Sequence, residues 1–276
     1  MTAVAKLERL REIIGELDGA VVAYSGGADS AFLADVAHEV LGERSEAITA
    51  VSPSLAPDER AAAARLAAGR GWRHREIVTN ELARPEYVRN ESDRCYHCKS
   101  ELFDVLDGLF AGRPILVGTN LDDLGDHRPG QAAAAERSVR TPLVDAGLRK
   151  QEVRALSRDR GLATWDKPAS ACLASRIAYG VPVTPERLER VGRAEAFLRS
   201  LGIREVRVRD HGEIARIEVP LADVPRIAGD EARADVAGYF RDLGFTYVTL
   251  DMEGFRSGSM NAVLTIGKPV RARGSA

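Results

Sequence analysis

The chain has few cysteines, no long apolar run and almost no net charge. Of 276 residues only three are cysteine: Cys95, Cys98 and Cys172. So small and odd a number excludes a disulfide scaffold. No hydrophobic stretch reaches the ~18 residues that span a bilayer. The opening segment, MTAVAKLERLREIIGELDGA, lacks the apolar core and cleavage site of a signal peptide and reads as a charged amphipathic helix. A cytoplasmic protein with no membrane partner is expected. Lys and Arg total 39 against 41 Asp and Glu, a net charge of −2, so no basic excess marks a nucleic-acid binder. Internal repeats are absent too, which excludes a solenoid.

What is present is an ordinary globular mixture, 45% hydrophobic and 29% charged, with room for one large or two modest domains. The first half alternates strand-like and helix-like segments. GAVVAYSGG, EAITAVSP, WRHREIVTN and RPILVGTN read as strands, separated by the helical ADSAFLADVAHEVLG, PDERAAAARLAAGRG and RCYHCKSELFDVLDGLFAG. Such repeated βα units predict an α/β fold with a parallel sheet covered on both faces. One more helix is expected over 147–161, with Val153 and Leu156 on one face. The Pro-, Gly- and Ser-rich WDKPASACLASRIAYGVPVTPE reads as a loop or boundary. Beyond it, PERLERVGRAEAFLRSLG and ARADVAGYFRDLGF are helical. REVRVRD and GEIARIEV form a hairpin around His211-Gly212, and TYVTLDM is a strand. The expected organisation is a parallel-sheet domain over residues 1–180 and a smaller α+β domain over 181–276, with the tail KPVRARGSA loose.

Ser25-Gly26-Gly27-Ala28-Asp29-Ser30 joins the first strand to the first helix of the sheet. Two glycines let backbone N–H groups close on an anion, and the helix N-terminus adds positive partial charge. The two hydroxyls can donate to phosphate oxygens. Asp29 beside an anion requires Mg²⁺ or a lysine between them, unless it caps the helix. The loop fits neither GxxxxGK[ST] nor GxGxxG. A plain Ser/Gly turn is the alternative reading, and the full SGGxDS after a buried strand makes it the weaker one.

SGGADS together with VGTNLDD resembles the PP-loop ATP pyrophosphatases, which cleave ATP to AMP and pyrophosphate and place AMP on a substrate oxygen. GLRKQEVRALSRDRGL looks like the helix that follows the fourth strand in GMP and NAD synthetases. DRCYHCKSELF and KPASACLASRIAYG, with the small C-terminal domain, narrow the resemblance to the LarE family over roughly residues 10–265. That resemblance implies an ATP- and Mg²⁺-dependent sulfur transferase acting on a small nucleotide, pyridinium-3,5-biscarboxylic acid mononucleotide. A carboxylate would be adenylated and converted to a thiocarboxylate on the route to a nickel-pincer cofactor, and a homo-oligomer is expected. It further implies that Ser25, Gly26, Gly27, Asp29 and Ser30 hold pyrophosphate and that Gly118, Thr119 and Asn120 form a second nucleotide-facing turn. Asp123 would lie near ATP or Mg²⁺, and Cys172 would bear sulfur. Lys167 and Arg176 flank Cys172 in sequence; each reads either as a cation that activates the thiol or holds the substrate carboxylate, or as a solvated side chain. The alternatives are a tRNA thiolase, an amide-forming synthetase or a nucleotide-binding module without catalysis.

Cys95-Tyr96-His97-Cys98 opens a helix. Zinc with Cys172 and His97 or His127, a redox dithiol, and inert thiols are all compatible readings. In some LarE relatives three cysteines hold a [4Fe–4S] cluster that carries sulfide; in others the cysteine gives up its own sulfur and becomes dehydroalanine. Confinement of all three thiols to two motifs favours Cys95, Cys98 and Cys172 as cluster ligands. Arg207 and Arg209 alternate along one strand face. They read either as a clamp for the substrate phosphate or as an exposed charged face.

Overall fold

The computed structural model describes residues 1–125, 129–168, 172–256 and 259–261. Ala169, Ser170 and Ala171 of the KPASAC segment, His127 and the KPVRARGSA tail lie outside them. The chain divides into two compact units, one of Met1–Tyr87 with Asp93–Ala171, the other of Val88–Ser92 with Cys172–Ala276.

The first unit is built on four parallel strands, β1 (Ala20–Ala23), β2 (Ser45–Val51), β3 (His74–Val78) and β4 (Ile115–Leu116), in the order β3-β2-β1-β4. Its helices are α1 (Ala3–Gly15), α2 (Ala28–Leu41), α3 (Pro57–Gly69), α5 (Arg94–Leu109), α6 (Pro129–Glu136), α7 (Pro142–Asp145) and α8 (Lys150–Asp159); the short α4 (Pro85–Arg89) runs across the division between the units. Burial on both faces explains the unbroken apolar run of β1. Ala20 and Val22 pack with Phe32, Leu33 and Leu10, whereas Val21 packs with Ile48, Phe103 and Leu106. Alternate side chains thus enter separate cores. Helix α2 ends at Leu41, where Gly42 takes a left-handed φ of 57°. Val153 and Leu156 of α8 are both buried, as their spacing predicts.

The chain moves from β1 through β2 to β3 on one side, then returns to place β4 on the other. The carboxyl ends of β1 and β4 therefore flank a topological switch point, where open parallel sheets form their ligand crevice. The SGGADS loop leaves β1 at that end, and the GTN turn follows β4.

The second unit carries a three-stranded sheet, order β5-β6-β7, of β5 (Arg207–Asp210), β6 (Ile214–Glu218) and β7 (Tyr247–Leu250). The expected hairpin is β5 antiparallel to β6. Its turn is fixed by Gly212 at φ 84° and by Asp210 Oδ1, which accepts from Gly212 N at 2.8 Å. Helices α9 (Pro185–Ser200), α10 (Val224–Ala228) and α11 (Asp230–Asp242) complete it. Thr184 caps α9 by accepting from Arg187 N, with Pro185 at the first helical position. Leu198, Val208, Ile217, Val236 and Phe240 form the core. No helix among the described residues is long and apolar enough to cross a membrane.

Candidate nucleotide and sulfur-transfer sites

The loop after β1 is folded tightly on itself. Gly26 has φ 74°, and a side chain there would also meet Ala63 Cβ at 3.0 Å, so two constraints call for glycine. Gly27 caps α2 without a side chain. Ser30 Oγ accepts from Ser25 N at 3.2 Å, donates to Gly27 O at 3.1 Å and lies 3.1 Å from Ser25 Oγ. Both hydroxyls therefore sit at the first turn of α2, where a helix start leaves N–H groups without intrahelical partners.

Gly118 brings the second turn against this loop. A Cβ there would lie 2.7 Å from Ser30 N and 2.9 Å from Asp29 C, which only glycine avoids. Thr119 follows, half-buried. Asn120, 1% exposed, donates Nδ2 to Asp29 Oδ1 at 3.4 Å and accepts from Asp122 N at 3.0 Å through its own Oδ1. Asp123 Oδ2 accepts from Asn120 N at 3.0 Å, so this carboxylate closes the turn. The SGGADS and GTN segments, far apart in sequence, thus form one structure.

Two lysines complete it. Lys150, first residue of α8, donates Nζ to Asp29 Oδ2. Its backbone N donates to Asp122 Oδ2 at 2.8 Å, which with Arg149 holds the Asp122 carboxyl below the usual carboxylate range. Lys150 was missed from the sequence. The presence of an acidic residue in an anion loop signalled a lysine but could not say which. Lys167 Nζ donates to Gly26 O at 2.9 Å and to Glu59 Oε2 at 2.6 Å. It is paired at the glycine loop, so it is not merely solvated.

In the second unit Cys172 is exposed and precedes a single 3₁₀ turn, Leu173–Arg176. Arg176 is buried and paired with buried Glu195 through Nε–Oε1 at 2.8 Å. Its Nη1 donates to Cys172 O at 3.2 Å. The solvated reading of Arg176 therefore fails, because the side chain anchors the cysteine turn to α9. Arg207 and Arg209 share a face of β5 as expected, but both are buried, 9% and 6% exposed, which overturns the exposed-face reading. Arg209 pairs with Glu218 at 2.7 Å and also donates to Ser175 O. Arg207 lies over the Phe255 ring. Burial and the nearby Arg176 charge push its guanidinium down to about 10.

Cys95 and Cys98 lie three residues apart near the start of α5 and so share a helix face. None of the three cysteines is in a disulfide. Cys95 and Cys98 belong to the first unit and Cys172 to the second. Among the described residues no group of three or more His, Cys, Asp or Glu is arranged to hold a metal ion.

The parallel sheet, its SGGxDS loop at the switch point and the smaller α+β unit define a PP-loop type of α/β protein. No family model matches the chain. Among curated proteins it is 36% identical over 268 residues to the pyridinium-3,5-bisthiocarboxylic acid mononucleotide synthase of Lactiplantibacillus plantarum, covering 96% of each chain. An uncharacterised Synechocystis protein is 49% identical over 264 residues, 95% of this chain and 98% of that one. An uncharacterised protein of Methanocaldococcus jannaschii is 28% identical over 173 residues, 62% and 67% of the two chains. The chain belongs to the LarE family.

Proposed function

We propose that this protein is an ATP-dependent sulfur transferase that makes a thiocarboxylate of pyridinium-3,5-biscarboxylic acid mononucleotide. The observation that carries the nucleotide half is Gly118, whose missing side chain lets the GTN turn rest on the first turn of α2 at the sheet's switch point. There, Ser25, Ser30 and the loop N–H groups suit the pyrophosphate of ATP. Thr119 and Asn120 border the same turn, and Lys150 and Lys167 supply positive charge. Asp29 suits Mg²⁺ once phosphate draws Lys150 away; Asp123 stays with the turn that it closes. The substrate carboxylate attacks the α-phosphorus, pyrophosphate leaves, and the acyl group gains AMP as a leaving group.

Cys172 supports the sulfur half. It is exposed, and its turn is pinned by Arg176. A thiolate at Cys172 displaces AMP and forms a thioester. Arg207 and Arg209 are the candidates for the substrate's phosphate. A second sulfur source would be sulfide on a [4Fe–4S] cluster with Cys95, Cys98 and Cys172 as ligands; the support for it is the shared helix face of Cys95 and Cys98, while Cys172 belongs to the other unit. The cluster would supply a labile sulfide.

The test is pyrophosphate release from MgATP, with and without the dicarboxylated pyridinium nucleotide, coupled to mass analysis of that nucleotide. Substrate-dependent release with replacement of oxygen by sulfur is expected. Release without any sulfur gain would refute sulfur transfer and return the chain to the amide-forming or tRNA-modifying PP-loop enzymes. Iron content and colour of protein purified without oxygen separate the two sulfur sources.

A further inference from the structure

The carbonyl oxygen of Cys172 accepts three hydrogen bonds. Ser175 N donates at 3.0 Å, Ser175 Oγ at 2.7 Å and Arg176 Nη1 at 3.2 Å. A peptide oxygen has two lone pairs, so three donors, one of them cationic, exceed what a neutral carbonyl requires. The donors are also rigid. Arg176 Nε and Nη2 reach the two oxygens of Glu195 at 2.8 and 3.4 Å, and Nη1 donates to Ser175 Oγ at 2.9 Å. Glu195, 1% exposed, also accepts from Val208 N on β5 at 3.1 Å and from Arg199 at 2.8 Å. An exposed cysteine thus has its carbonyl fixed against a buried, preorganised cation.

From this geometry we infer that Ser175 and Arg176 form an oxyanion hole for the Cys172 peptide carbonyl itself. The inference rests on the reading that the Cys172 sulfur is transferred. Once Cys172 Sγ has displaced AMP, the acyl group is held as a thioester, and a thiocarboxylate can leave only if Cβ–Sγ breaks. Loss of the Cα proton to water, to which this residue is exposed, leaves an electron pair that delocalises onto the carbonyl oxygen as an enolate. That charge develops where the three donors point. The pair then forms the Cα=Cβ bond, and the Cβ–Sγ pair departs with the thiocarboxylate. Cys172 becomes dehydroalanine. No electron is gained from or lost to another reactant.

Rapid-quench intact-mass analysis of the full chain with MgATP and the dicarboxylated pyridinium nucleotide tests this. Wild-type protein passes through the thioester adduct to a chain lighter by about 34 Da, the loss of H₂S. In Ser175→Ala the adduct accumulates, and its elimination slows by roughly tenfold to a hundredfold, less than or comparable to loss of a protease oxyanion donor because two donors remain. Ser175→Thr, which keeps the hydroxyl, restores elimination. Cysteine deuterated at Cα gives a larger isotope effect on adduct decay in Ser175→Ala than in wild type. Adduct decay at the wild-type rate in Ser175→Ala would overturn the inference. So would repeated turnover of wild type with the mass of Cys172 intact, although sulfur transfer itself would stand. Absence of both pyrophosphate and adduct in wild type would overturn the activity as well.

Discussion

Lys150 and Asp29, 121 residues apart in sequence, meet at the first turn of α2, where the ammonium donates to Asp29 Oδ2. Asn120 holds the other oxygen of the same carboxylate. Asp29 is thus aimed by both the GTN turn and the start of α8. Asp29→Ala should lower pyrophosphate release by at least about a hundredfold, the scale of losing a preorganised charge at a reacting phosphate. Its effect on unfolding should stay on the order of 1 kcal/mol, because the pair is partly solvated. Release within threefold of wild type would remove SGGADS from the site.

Gly118→Ala tests the close approach of the two turns. The new methyl would meet Ser30 N and Asp29 C, both backbone atoms that cannot rotate away. Stability should fall by about 1–3 kcal/mol, and ATP affinity should fall by about tenfold or more as the turn is displaced from the loop. Gly108→Ala is the control. It lies in α5 with nothing within 4 Å of an added Cβ, and should raise stability by about 0.5–1 kcal/mol. Equal effects of the two substitutions, read by calorimetry and by ATP titration, would contradict the packing argument.

Much of this arrangement was legible before any coordinates. The continuous apolar run of β1, Gly42 after α2 and the alternation of β5 each carry a backbone rule in a few residues. The SGGADS loop and the GTN turn could be assigned one role because each keeps a local signature. Pairings across the sequence were not legible. Nothing local to Lys150 tells that it reaches Asp29, nor does Lys167 in sequence show its bond to Gly26. For Arg176, Arg207 and Arg209 the solvated or exposed reading stood beside the functional one, because arginine is seldom buried. Their burial depends on Glu195 and Glu218, contributed by another helix and another strand.

His74 gives a pH test of the first unit. Its Nε2 lies 2.9 Å from Thr49 Oγ1, which itself donates to Tyr24 O, so the imidazole is bound as donor. Burial holds its pKa below the ordinary 6.5, with Glu76 opposing. Below pH 6.5 the unfolded chain takes up a proton more readily than the folded one, so this contribution is present above 6.5 and is lost as pH falls through the lower folded value. The difference in unfolding free energy between wild type and His74→Gln should therefore shrink as pH drops from 7 to 5. A constant difference across that range would contradict the burial effect.

Arg207 and Arg209 divide binding from folding. Arg209 compensates Glu218, which is fully buried. Arg209→Ala should cost about 2–3 kcal/mol, less than the ~3–5 of a fully broken buried pair, because Arg216 still reaches Glu218 at 3.0 Å. Arg207 differs, since its guanidinium is pushed down to about 10 by burial and by Arg176. A buried cation in that setting favours an added anion. Inorganic phosphate at about ten times its dissociation constant should stabilise wild type by about 1.4 kcal/mol. Arg207→Gln should lose most of that gain and raise KM for the pyridinium nucleotide more than it lowers kcat. Phosphate protection unchanged in Arg207→Gln, measured by thermal shift, would leave Arg207 as packing against Phe255 and move the substrate phosphate elsewhere.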